Sequence, residues 1–154
     1  YSESFSAWQH MRLANIIPGD YCNAAASCPA IGDTAEPNLN IPASKFPEGG
    51  YSLLSLDVLS TDSRVFERNY LFFGASLSAN PAWTALLIAD DARHIDLKMD
   101  DAIPNSGLVL TSIGGASGPA STTASDNNCL KAGSAEYNLT TNQVACVPAF
   151  AIVE

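Results

Sequence analysis

Apolar side chains recur at helical spacing from the start of the chain: Tyr1, Phe5, Trp8, Met11 and Ile16 fall on one broad arc, interrupted by Arg12. The spacing predicts a helix over 2–16, ended by Pro18-Gly19-Asp20. From 21 to 50 the chain is rich in Ala, Pro, Asn and Gly without a sustained period, which predicts a long loop. Aromatic and branched residues then dominate 51–60 and 70–76, the first opened by Gly49-Gly50. These read as two strands, with the polar residues 61–64 as a hairpin or meander connection. Asn80-Pro81 pairs a helix-capping residue with a proline suited to a first turn, and predicts a second helix running to about residue 100. Its apolar stripe is Ala85, Ile88, Ala92, Ile95 and Met99, the spacing of a face laid on a sheet. A turn at 104–107, a short strand over 108–113 and a Gly-, Ser- and Thr-rich exposed loop over 114–128 follow. Two last strands, over 135–139 and 144–153, are joined through Thr140-Thr141-Asn142.

The order of elements predicts an α+β fold, an N-terminal helix packed on an antiparallel β-sheet with a second helix and a cysteine-closed C-terminal region. The chain has 154 residues, enough for one domain over 1–154 that buries roughly 70% of its unfolded surface. It is 47% hydrophobic but only 15% charged, so its surface is built mainly from Ser, Thr, Asn, Gly and Pro. The net charge of −9 repels the phosphate backbone on which nucleic-acid affinity rests, so no nucleic-acid partner is expected. No basic block is present that could hold the domain on an anionic membrane. The longest apolar runs, 71–75 and 85–89, are far below the roughly 20 residues of a spanning helix. The sequence begins at Tyr1 with no initiator Met and no signal-like region, and an anchoring or targeting segment is expected ahead of it.

Cys22, Cys28, Cys129 and Cys146 allow three disulfide connectivities. Proximity in sequence selects Cys22–Cys28 and Cys129–Cys146, the latter closing a loop worth roughly 3 kcal/mol in the chain-entropy argument. Neither pair has the CxxC spacing of a zinc or redox site, and disulfides imply an oxidising compartment.

Candidate chemistry is sparse. Asp90, Asp91, Asp96, Asp100 and Asp101 concentrate on or just past the second helix, where Asp96 and Asp100 stand four apart. A calcium site is one reading of Asp96, Asp100 and Asp101; the preferred one is a solvated face balanced by Arg93 and Lys98. Asp100 and Asp101 oppose the helix dipole, so an Asx-type bond to the following turn, or pairing with Lys98, is expected to compensate. Only His10 and His94 could serve as bases, and neither Gly74-Ala75-Ser76 nor Gly115-Ala116-Ser117-Gly118 completes a nucleophile elbow. His94 reads as a surface histidine near Asp90 and Asp91. Aromatics are 8% of the chain and read as core, which argues against a carboxylate-pair glycosidase cleft. No catalytic residue, cofactor or metal ligand is therefore assigned, and the chain is read as a non-enzyme. Asn138-Leu139-Thr140 matches the N-glycosylation sequon, and the preferred reading is an accidental match.

The stretch Ile95-Asp96-Leu97-Lys98-Met99-Asp100-Asp101-Ala102-Ile103-Pro104-Asn105-Ser106-Gly107-Leu108-Val109 resembles an Ile-Asp-x-Lys-x-Asp-Asp-Gly-x-Pro-x-x-Gly-x-Val segment of pilin-like proteins, with Ala102 in place of its Gly. If that position needs a left-handed backbone, Ala102 strains it. Together with the N-terminal amphipathic helix and the cysteine pair before the last strand, it makes the chain similar to the globular part of a type IV pilin or type II secretion pseudopilin. The resemblance implies a structural or assembly subunit, major or minor, of a pilus or secretion filament. Its partners would be other pilin subunits, and the inner membrane through an apolar half-helix preceding Tyr1. It implies an extracellular filament or the periplasm of a Gram-negative bacterium, with membrane anchoring before assembly. The alternative is an adhesin or ligand-binding module at a filament tip, with its site in the loops at 22–28 and 114–128.

Overall fold

The computed structural model describes residues 2–22, 34–56, 68–113, 128–131 and 134–152. It contains two helices, α1 (Ser2–Leu13) and α2 (Ala89–Met99), and five strands: β1 (Gly49–Leu56), β2 (Arg68–Leu77), β3 (Asn80–Thr84), β4 (Val109–Ile113) and β5 (Cys146–Ile152). The strands form one antiparallel sheet in the order β1-β2-β5-β4. β3 pairs with β2 at Ala75 and Leu77, on the edge that β5 occupies further along. The fold class is α+β, as the periodicity implied.

Alternation along β2 sends successive side chains to opposite faces. Tyr70 and Phe72 pack with Leu54, Trp83, Val147 and Ala149 on one face. Leu71 and Phe73 point to the other, which both helices cover. Phe5 and Trp8 of α1 meet Ile41, Ala82, Leu53 and Leu71, while Ala89 and Ala92 of α2 meet Phe73, Leu87 and the two cysteines. The expected packing of the N-terminal helix through Phe5 and Trp8 is therefore found; Tyr1 lies outside the described residues.

α1 stops earlier than Pro18 would make it. Asn15 adopts a left-handed φ of 57°, and the amides of Ile16 and Asn15 reach back to the carbonyls of Met11 and Arg12. That pair of bonds is a Schellman stop, which asparagine tolerates better than most residues. Arg12 is used by the same turn, its Nε donating to the Gly19 carbonyl and its guanidinium pairing with Asp20 at 2.9 Å.

The reading of Asn80-Pro81 as a helix start is corrected. Leu77 pairs with Asn80 across the two-residue turn Ser78-Ala79, and Ala79 takes a positive φ of 57°. The Asn80 amide donates to the Ser78 carbonyl instead of capping a helix. Pro81 is tolerated because β3 is short and meets β2 at only two registers. Gly74 permits the approach, since a Cβ there would stand 2.6 Å from the Ala82 carbonyl oxygen. The chain stays extended through Leu86 and Leu87, which exchange backbone bonds with Cys146, and α2 begins only at Ala89. Ala85 and Ile88 thus precede the helix, Met99 is exposed, and the buried face is Ala89, Ala92 and Asp96.

Further along, the turn at 104–107 and the strand after it match the sequence reading. The strand expected over 135–139 is only an isolated bridge between Leu130 and Tyr137. The loop over 114–127, the connection 57–67 and Cys28 lie outside the described residues. Cys129 and Cys146 are bonded and fully buried, and Cys22 is also disulfide-bonded. Loss of the Cys129–Cys146 bond is expected to lower unfolding free energy by about 3 kcal/mol for a loop of this length, read as the difference in urea midpoint between wild type and the double variant Cys129→Ser, Cys146→Ser. Among the described residues no helix is long and apolar enough to cross a membrane.

Candidate functional site

The three carboxylates singled out in the sequence do converge, but not as a solvated face. Asp96 sits on the inner side of α2 and is fully buried. Its Oδ1 accepts the Ala102 amide at 3.2 Å, and its Oδ2 accepts the Tyr137 hydroxyl at 2.7 Å. Tyr137 Oη also lies 2.9 Å from Thr111 Oγ1, so a buried chain of polar groups links α2, β4 and the segment before β5.

Asp100 ends α2, and its Oδ2 accepts the amides of both Leu108 and Val109 at the head of β4. Gly107, at φ 71°, passes so close to this carboxylate that any side chain would collide with it. Asp101 accepts the Ile103 amide at 2.8 Å through Oδ1 and the Ser106 hydroxyl at 2.5 Å through Oδ2. The expected Asx-type compensation for two acids at a helix C-terminus is thus present. Pairing with Lys98 is not among the ion pairs of the described residues.

Carboxylate oxygens of Asp96, Asp100 and Asp101 lie within 4.8 Å of one another, and only Asp101 is exposed. The donors just named occupy both oxygens of Asp96, both of Asp101 and one of Asp100. A hard cation needs several oxygens converging on one point, and here donors of this chain already orient five of the six carboxylate oxygens. What the arrangement does is fasten the end of α2 to the start of β4.

Burial raises the Asp96 pKa from its usual value, helped by the nearby Asp101 and Asp100 and opposed by the Tyr137 and Ala102 bonds. Burial also drives the Tyr137 pKa upward, so its hydroxyl remains a donor.

Ala102 has φ 62°, the left-handed conformation that its resemblance to a glycine position called into question. A left-handed alanine costs roughly 1–2 kcal/mol, partly offset by the greater freedom of glycine in the unfolded chain. Ala102→Gly is expected to raise stability by about 0.5–1 kcal/mol, seen as a higher urea midpoint at unchanged slope.

The other singled-out residues do not join this cluster. His94 stands 3.6 Å from Asp90 on the exposed side of α2, as read, and His10 is exposed on α1. Ser76 lies within β2, its hydroxyl bonded to the Ala35 carbonyl. Tyr137 and Thr111 were missed by sequence reasoning, because nothing in their spacing announces a partner 41 positions away from Tyr137.

The chain matches no known protein family, no curated protein and no solved structure.

Proposed function

We propose that this chain is the globular part of a pilin-like subunit, of a type IV pilus or a type II secretion pseudopilus, and that its work is packing and not catalysis. The observation that carries this reading is the backbone of 95–109. The segment resembles a pilin-like sequence whose glycine corresponds to Ala102, and Ala102 adopts the positive φ that glycine favours. Supporting it, α1 lies on the sheet through Phe5 and Trp8, and a disulfide holds the first residue of β5. A subunit of this kind would continue α1 upstream into an apolar segment that anchors it and later lines a filament core.

Two measurements test the proposal. The gene read upstream of Tyr1 should encode an apolar run of about 20 residues or more, beginning with Phe and carrying Glu at its fifth position. Shearing intact cells should release the chain in a sedimenting filament fraction. A charged soluble domain upstream, or a chain found only as a soluble monomer, would count against the reading. Filaments that persist without the chain but no longer adhere would assign it to the tip.

A further inference from the structure

The sequence Asn138-Leu139-Thr140 belongs neither to the acidic turn nor to the packing role, and it is the chain's only Asn-x-Ser/Thr. We propose that Asn138 is an acceptor for N-linked oligosaccharide, transferred from a polyprenyl diphosphate carrier on the extracytoplasmic side of the membrane. Disulfide formation at Cys129–Cys146 belongs to the same oxidising side.

The local geometry suits the reaction. Asn138 is half-buried at the head of an irregular stretch before β5, in which Leu139, Thr140 and Val144 are exposed. Thr140 Oγ1 lies 2.6 Å from Asn138 Oδ1, and the Thr140 amide donates to the same oxygen at 3.2 Å. Both bonds lie within 138–140, so they need no docking of Tyr137, and they hold the sequon hydroxyl against the carboxamide of Asn138. In the transfer, Asn138 Nδ2 attacks the anomeric carbon of the sugar. A C–N bond forms, the C–O bond to the diphosphate breaks, and the diphosphate leaves with the bonding pair. The amide proton passes to a carboxylate of the transferase. The carboxamide oxygen is not consumed, so both Thr140 bonds survive in the product.

Two neighbours set when the transfer occurs and which transferase is used. Glu136, two positions before Asn138, sets an exposed acidic side chain beside the acceptor, which a basic contact of the transferase can grip. Its side chain is exposed and joins Lys131 in an exposed ion pair, which is weak enough to exchange. Tyr137 between them is buried and bonded to Asp96. A transferase that grips Glu136 through Thr140 therefore needs Tyr137 undocked, so the acceptor is the exported chain before this segment folds onto α2. Once docked, Asn138 still reaches the surface, and the glycan stands beside the exposed Leu139 and Val144.

The full chain, with its natural upstream sequence, is expressed in a Gram-negative host carrying a bacterial oligosaccharyltransferase and its lipid-linked oligosaccharide. The expected result is a glycan-sized mass increase on the reduced tryptic peptide following Lys131, absent in Asn138→Gln and Thr140→Ala, retained in Thr140→Ser and sharply reduced in Glu136→Gln. Folding of each variant is checked by the absence of free thiol at Cys129 and Cys146. No mass increase on a folded wild type, in cells that modify a control acceptor, overturns the proposal. So does an increase that survives Asn138→Gln. Equal modification of native and reduced, unfolded chain by the same membranes would overturn the order of events.

Discussion

Trp8→Ala is expected to lower the unfolding free energy by about 3–5 kcal/mol, the range for deleting a large buried aromatic. The ring is only 7% exposed and packs between Ile41, Ala82 and the β1–β2 face, so its removal loses apolar contact and leaves a cavity. An isolated helix of this length is marginal in water, so the loss also loosens the attachment of α1 as a whole. Trp8 Nε1 is buried without an acceptor among the described residues, which separates two contributions. Trp8→Phe keeps most of the apolar contact and removes a desolvated donor whose burial costs roughly 1–3 kcal/mol. It should therefore cost far less than Trp8→Ala. Denaturant melts of the two variants check this. A change within about 0.5 kcal/mol for Trp8→Ala, the size of a surface substitution, would place Trp8 at an interface and not in the core.

That α1 could be read at all follows from its dense apolar spacing, in which Phe5 and Trp8 are each one or two turns from the next anchor. The strands β1 and β2 were legible for the same reason, since aromatic and branched residues are dense in both, and they pair in full register from Gly49 to Leu56. The failure at Asn80-Pro81 has a physical cause: a capping asparagine and a proline serve a tight turn into an edge strand as well as they serve a helix start. Pairing with Ala75 and Leu77, and the Ser52 hydroxyl that accepts the buried Ala82 amide, decided between them. Ser52 lies 30 positions from Ala82, and nothing at 80–81 announces it.

The acidic turn was half legible. Asx bonds made by Asp101 within a few residues could be anticipated, because they depend only on the chain nearby. The burial of Asp96 could not, because it depends on Tyr137 and Thr111 arriving from later in the sequence to supply and share a hydroxyl. A carboxylate among charged neighbours on a helix looks solvated until the element covering it is known. The same distance effect explains why Tyr137, in a segment expected to be a strand, proved to be an inward-facing side chain on an irregular stretch.

Relative to Asp96→Asn, the wild-type protein is expected to lose stability as pH rises above about 4. Burial raises the Asp96 pKa in the folded state, so below the unfolded value both states hold the proton and the folded state has its full stability. Above it the unfolded chain gives up the proton first while the folded chain retains it, and stability declines until the folded pKa has been passed, after which it is level. Asparagine cannot ionise, can still accept the Ala102 amide and can turn its amide toward Tyr137, so Asp96→Asn should lack this slope and become the more stable form near pH 7. Asp96→Ala has no such rescue: it leaves the Ala102 amide without its side-chain acceptor and opens space beneath α2, for a loss of about 1–3 kcal/mol. Urea midpoints of the three proteins, compared below about pH 4 and near pH 7, separate these outcomes. Taking Asp96→Asn as reference cancels the repulsion among the remaining acids, which also grows with pH. If wild type instead gains stability over Asp96→Asn as pH rises, the carboxylate is ionised in the fold, and the Tyr137 and Ala102 donors outweigh its burial.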